Sequence, residues 1–252
     1  MRWLIYLILL GLTGCLGPSK PVWTEVPTAE ELLNRLAVDA GQYFSLDGEA
    51  HVSLTTKDKY VSSQQFLSLQ QPDFLRVDAL TGFGQLIIQV ASDGETLSVF
   101  LHTTVPGRFF RGPASDENIS RFTRMPLAVR DFLPLLLYSP PIIAFQESRV
   151  EVSSKGLTLI LHDGVREQQI LFNRQLQLTG CRYYRDGKKS LVVEYSHFSG
   201  DNKFPYTIKV MVPQQQARVK LEFSELVLNQ DIDKARFSLK KPENLLLEPL
   251  PE

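Results

Sequence analysis

Few residues of this chain are equipped for chemistry. The strongest nucleophiles available are two thiols, Cys15 and Cys181. Cys181 stands in a strand-like run, and two readings of it are open, a small buried residue or a reactive thiol. His51, His102, His162 and His197 occur singly in or beside strand-like runs, and none has a partner at metal-ligand spacing. Asp231 and Asp233 flank Ile232 but lack the glycine and distant glutamate of a calcium loop. No G-x-S-x-G elbow, phosphate-cradling glycine loop or H-E-x-x-H helix occurs. No catalytic residue, metal or cofactor is expected, and the chain is read as a non-enzyme.

Cys15 is different because of what precedes it. Met1-Arg2 is a charged start, and Trp3 to Leu12 is an apolar run that leads into Thr13-Gly14. That is the layout of an export signal, and the run is too short for a bilayer span, which needs about 20 residues. A cysteine just after Leu12-Thr13-Gly14 resembles the lipobox of bacterial lipoproteins. The resemblance implies cleavage of residues 1–14, acylation of Cys15, and anchoring in a membrane through those chains. The other reading is an ordinary signal peptide with an incidental cysteine. Leu16, rather than aspartate, follows Cys15, and by the same resemblance this points to the periplasmic face of a Gram-negative outer membrane. Residues 15–27 contain Pro18, Pro21 and Pro27 without apolar period, and read as a tether extending about 3.1 Å per residue.

Hydrophobic content of 43% and charged content of 22% are those of a globular domain that must supply its own core. A formal charge of −1, without a long Lys/Arg cluster, argues against a nucleic-acid partner. With Cys15 acylated, Cys181 has no partner for a disulfide.

The element pattern is mainly β. Thr28-Ala29-Glu30-Glu31 is a capping box that opens a helix carrying Leu32, Leu33, Leu36 and Val38 and ending near Gly41. Thereafter period two dominates. Leu75, Val77 and Ala79 share a face, as do Leu86, Ile88 and Val90, then Leu97, Val99 and Leu101 after the Asp93-Gly94 turn. The grammar repeats with Leu157, Leu159 and Leu161 before Asp163-Gly164, then Ile170 and Phe172. Tyr183 and Tyr184 precede Asp186-Gly187, with Leu191, Val193 and Tyr195 after it. Ile208, Val210 and Val212 lead to a final pair of runs, Val219, Leu221 and Phe223, then Leu226 and Leu228. Ten or eleven strands with short turns predict one antiparallel sheet, strongly curled or closed. In the middle, residues 116–122 read as a helical turn and 126–138 as a short helix broken by Pro134. That helix is apolar nearly all round, so it either lies under the sheet as core or plugs its opening.

The capped helix and the antiparallel run that follows it resemble the LolA/LolB superfamily of bacterial lipoprotein carriers. The segments that carry the likeness are Leu75-Arg76-Val77-Asp78-Ala79-Leu80-Thr81-Gly82-Phe83-Gly84, with Leu86 to Val90 after it, and Met125-Pro126-Leu127-Ala128-Val129-Arg130-Asp131-Phe132-Leu133. The likeness covers roughly 28–230 and leaves 231–252 as a C-terminal tail. It implies an incomplete antiparallel barrel around a cavity for the acyl chains of lipoproteins, capped by helices. The anchor at Cys15 makes the LolB branch the nearer one. In that branch a hydrophobic residue on a projecting loop contacts the membrane; Phe83 holds the comparable place and Leu80 is the second candidate. Phe83 folding back into the core is the alternative. Leu75, Val77, Ile88, Leu97, Val99, Leu159, Val210 and Leu221 are expected to line the cavity or fill the core, two roles that alternation cannot separate. Phe132, Leu133 and Leu136 would form the lid.

The expected function is therefore binding of lipoprotein or lipid acyl chains and their delivery to the outer membrane without chemistry, with a periplasmic carrier protein as donor. A filled-barrel scaffold of an envelope complex is the competing reading, and an envelope hydrolase the third.

Overall fold

A computed structural model describes residues 23, 25–123, 129–200 and 203–250. The export signal, Cys15, most of the tether and residues 125–128 of the lid segment lie outside the described residues.

The capping box opens helix α1 (Ala29–Ala40). The Glu31 carboxylate accepts from the Thr28 backbone N–H at 2.7 Å, and the Thr28 hydroxyl accepts from the Glu31 N–H at 3.2 Å. Leu32 and Leu36 bury the inner face, whereas Val38 points outward. A first antiparallel meander follows: β1 (Ser45–Thr55), β2 (Tyr60–Gln70), β3 (Phe74–Leu80), β4 (Leu86–Ser92), β5 (Thr96–Leu101) and β6 (Arg108–Pro113). Helices α2 (Asp116–Thr123) and α3 (Val129–Leu136) cross to a second meander. It comprises β7 (Glu147–Ser153), β8 (Gly156–His162), β9 (Arg166–Asn173), β10 (Leu178–Arg185), β11 (Lys188–Phe198), β12 (Pro205–Val212) and β13 (Ala217–Leu228). Pairing of β1 with β13 fuses the meanders into one curled, open sheet of fourteen strands, whose far edges are β7 and the short β14 (Leu247–Pro249).

The architecture is a strongly curled sheet, one of the two forms that the period-two pattern predicts, and it stays open as the family resemblance implies. The strand number is higher because several strands carry little apolar signal. Tyr60–Gln70 is rich in serine and glutamine, and Glu147–Ser153 is an edge strand dressed in charges. The final pair of runs is one strand. Ala50 pairs with Phe223 and Glu49 with Glu225, so Ser224 is an extra residue in a β-bulge. The bulge reverses the phase, and inward positions pass from Val219, Leu221 and Phe223 to Leu226 and Leu228 without a turn. The Asp-Gly hairpins form as their type demands. In the β8–β9 turn Gly164 takes φ +94°, and the Asp163 carboxylate accepts from the Arg166 and Val165 N–H groups. Those bonds, the one to Arg166 foremost, hold its pKa down to about 2.

The concave face holds the main core, and the two halves are filled differently. In the β7–β13 half, Tyr138, Tyr195, Phe198, Phe204 and Tyr43 pack ring to ring. Tyr138 donates to the Leu178 carbonyl at 2.7 Å and Tyr195 to the Leu135 carbonyl at 3.0 Å. The chain leaving α3 is fastened by buried Gln168, which donates to the Pro141 carbonyl at 2.9 Å and accepts from the Ile143 N–H at 3.0 Å. Among the described residues the β1–β6 half is covered by α2 and α3.

Residues 231–250 run over the convex face of the first half. Phe237 is buried beside Phe74, Arg236 pairs with Asp47 at 3.1 Å, and Leu239 and Leu245 pack on Ala91 and Phe109. Arg111 donates to the Leu239 carbonyl at 2.7 Å, and β14 then adds in parallel to β6.

The β1–β13 seam is the one long-range pairing that joins the meanders, and Gly48 sits in it. A Cβ there would lie 2.6 Å from the Glu225 carbonyl oxygen and 3.0 Å from Leu226 Cβ. Gly48→Val should therefore destabilise the domain by about 1–3 kcal/mol, seen as a lower midpoint in urea unfolding with an unchanged slope.

Candidate functional site

A cavity of about 510 Å³ opens inside the first half of the sheet, within the range of about 300–1,000 Å³ typical of ligand pockets. Strands β1 to β5 and β13 form its wall, and Phe132 and Leu136 of α3 form its cover. Alternation explains the wall: every second residue of each strand faces the concave side. Its lining is apolar except for Ser63, Gln65 and Thr103, and no lining side chain is charged. If a methylene needs about the volume of a water, about 30 Å³, the space admits on the order of fifteen carbons.

Four of the eight expected wall residues, Leu75, Val77, Ile88 and Leu221, line the cavity. Leu97, Val99, Leu159 and Val210 are instead buried in packed core. Phe132 and Leu136 face the cavity from above, whereas Leu133 is buried against the core. Leu80 is half-buried and does not line the cavity.

Among the wall residues that pattern reading missed is Ile87. Ala79 pairs with Ile88 and Leu80 with Leu86, so Ile87 is the extra residue of a bulge and lines the cavity beside its neighbour Ile88. A consecutive Ile-Ile pair in an otherwise alternating strand is the only sequence trace of this. Val52, Leu54, Val61 and Leu67 belong to strands diluted by serine and glutamine, where alternation is hard to see.

The opening lies at the end of the sheet where β2 begins. Val61 and Thr103 line the cavity and are also exposed, so it meets solvent between them. The β3–β4 loop projects at this same end. Thr81 organises it: its hydroxyl accepts from the Phe83 N–H at 3.3 Å and the Gln85 N–H at 3.2 Å, while Gly84 takes φ +78°. This turn turns Phe83 outward, leaving it 96% exposed. Tyr60, Leu86 and Val105 are exposed at the same end.

A second cleft, of about 360 Å³, lies between α1 and the chain around Tyr138–Phe145.

The groups that could do chemistry do not assemble. Among the described residues no three His, Cys, Asp or Glu side chains stand close enough to hold a metal. His102 contacts Gln89 Oε1 at 3.0 Å and stacks on Phe100, and its burial pulls its pKa down. His197 meets Thr207 Oγ1 at 3.1 Å, and His162 Nδ1 accepts from the Gly164 N–H at 3.2 Å. Cys181 is fully buried, and desolvation pushes its thiol up to about 12.

No protein-family model and no curated protein matches the chain in sequence. Solved structures match its fold. A LolA superfamily protein from Nitrosomonas europaea superposes with a TM-score of 0.53 at 13% identity, over 85% of this chain and 99% of that one. A DUF1329 family protein from Desulfovibrio piger gives 0.55 at 14%, over 83% and 95%. A domain from Vibrio parahaemolyticus, classed as an outer membrane lipoprotein-sorting protein, gives 0.52 at 11%, over 83% and 97%. The fold is thus that of the LolA-like half-barrels.

A thiol so deeply buried and held protonated should be inert. Peptide-mapped alkylation at neutral pH should leave Cys181 unmodified in the native protein and label it fully in guanidinium; rapid native labelling would contradict the packing described.

Proposed function

We propose that this protein is a lipid-anchored, LolB-like envelope protein that takes up an acyl chain of a lipoprotein or lipid in the β1–β5 cavity and passes it to the outer membrane without chemistry. One observation carries the reading: an uncharged, hydrocarbon-sized cavity opens at the end of the sheet from which Phe83 projects. An empty apolar wall of this size is costly in a protein that has only to fold, since lining atoms forgo their packing contacts. A scaffold with a filled barrel has no use for it.

The exchange needs no covalent step. A chain leaving a donor, here proposed to be a periplasmic carrier protein, is shielded from water on entering the cavity beneath Phe132 and Leu136. It gains again on leaving for the bilayer, where its whole length is buried. Phe83, with Tyr60, Leu86 and Val105 around it, would seat the opening in the membrane interface, where an aromatic ring partitions well. Acylated Cys15, on the tether of residues 15–27, would keep the domain at that surface. The Nitrosomonas structure is a LolA superfamily protein and the Vibrio one an outer membrane lipoprotein-sorting protein domain, which is consistent with this use of the fold.

Native mass spectrometry of the unacylated domain tests the binding step: lipid or added lipopeptide should be retained, and a protein that stays bare with both would sink the carrier reading. Delivery is tested separately. Because Phe83 makes little contact with the fold, Phe83→Glu should bind cargo normally and transfer it to liposomes about tenfold more slowly, since a carboxylate forgoes the ring's favourable partitioning into the interface. Unchanged transfer would remove Phe83 from the membrane step.

A further inference from the structure

The cavity wall is not uniformly apolar, and the exceptions are grouped. Ser63 and Gln65 face inward from β2, between exposed Val61 and buried Leu67. Strand register explains why Gln65 has room. Its cross-strand neighbours are Ala50 on β1 and Ala79 on β3, so small side chains flank it on both sides. Where a valine or leucine would close the wall, the sheet leaves a notch around a carboxamide.

The two polar groups satisfy each other only in part. Gln65 Nε2 donates to Ser63 Oγ at 3.0 Å. The Ser63 O–H, the second Gln65 N–H and Gln65 Oε1 have no protein partner among the described residues. Gln65 Oε1 is not sealed off, and both residues line the cavity, so the pair can meet water or a ligand there. A hydroxyl or amide half-satisfied beside apolar walls costs free energy unless a partner fills it. Two valines would form a better strand and a drier cavity.

Building on the acyl-binding reading above, we infer that Ser63 and Gln65 form a ledge for the uncharged polar junction of the ligand, an ester or amide carbonyl with a neighbouring hydroxyl or N–H. The carbonyl accepts from the Ser63 hydroxyl or the free Gln65 N–H, and the neighbouring donor reaches Gln65 Oε1. The hydrocarbon then lies over Leu75, Val77, Val90 and Ile88 beneath Phe132 and Leu136. With no charged side chain in the lining, an ionised head such as a carboxylate or phosphate has no counter-charge in the cavity and must stay outside it. Acyl glycerols and N-acylated peptides share the required junction.

Competition against the uncharged fluorophore N-phenylnaphthylamine tests this with three probes of equal chain length: monopalmitoyl glycerol, an N-palmitoyl peptide and hexadecane. The wild type should prefer at least one junction-bearing probe to hexadecane by about three- to tenfold, the worth of one or two hydrogen bonds. Which of the two wins identifies free lipid or lipopeptide as the source. Ser63→Val/Gln65→Leu should erase that preference and leave hexadecane binding intact. Gln65→Met, which keeps the side-chain volume, should reduce it by about half on a logarithmic scale. Equal binding of all probes by the wild type, or a preference that survives in both variants, would overturn the ledge while leaving the carrier reading in place. Failure of every probe to bind would overturn both.

Discussion

A curled sheet of fourteen strands presents a broad apolar concave face that has to be kept from water, and the described elements cover its two halves differently. Most of the strands bring aliphatic side chains to the inside, and water must be kept from them. Helix α1, the aromatic cluster and the strap leaving α3 suffice for the second meander, where Tyr138, Tyr195 and Gln168 tie the cover down through buried hydrogen bonds. Among the described residues the first meander is covered by α2 and α3, and the cavity lies beneath α3. Pro134 interrupts the hydrogen bonding of that helix. Its Phe132 and Leu136 meet the cavity while Leu133 is anchored in core.

The same economy appears on the convex side. A sheet that encloses a cavity within half its width cannot rely on interior packing to stiffen that half. Residues 231–250 supply stiffness from outside, with Phe237, Leu239 and Leu245 buried and the Arg236–Asp47 and Arg108–Glu248 pairs at the margins. The exposed pairs contribute little by themselves; the buried apolar groups hold the strap. The strands that wall the cavity are thus braced behind, while their inner faces stay free.

Among the described residues the thiol and three of the histidines are taken up by local structure. Cys181 is sunk in the filled half, where its thiol stays protonated, and His102, His197 and His162 are engaged by glutamine, threonine and a turn N–H respectively. The polar groups that do face the cavity, Ser63, Gln65 and Thr103, are uncharged. Such a lining selects for burial and hydrogen bonding, properties suited to holding a molecule and releasing it unchanged.

Local physics made part of this legible in the sequence. The Thr28–Glu31 capping box, the Asp-Gly turns and the period-two runs each act within a few residues, so the first helix, the hairpins and the antiparallel curled sheet could be read without coordinates. Alternation also told which side of a strand Leu75 and Leu97 share. It could not tell that Leu75 would line a cavity and Leu97 pack within the core, because that depends on which helices cross above them. Nor could it reveal the bulges at Ile87 and Ser224, or that polar Ser63 and Gln65 turn inward, Gln65 between alanines of the two neighbouring strands. Face is a property of one strand; register and cover are properties of the assembled sheet, and only the tertiary structure decides them.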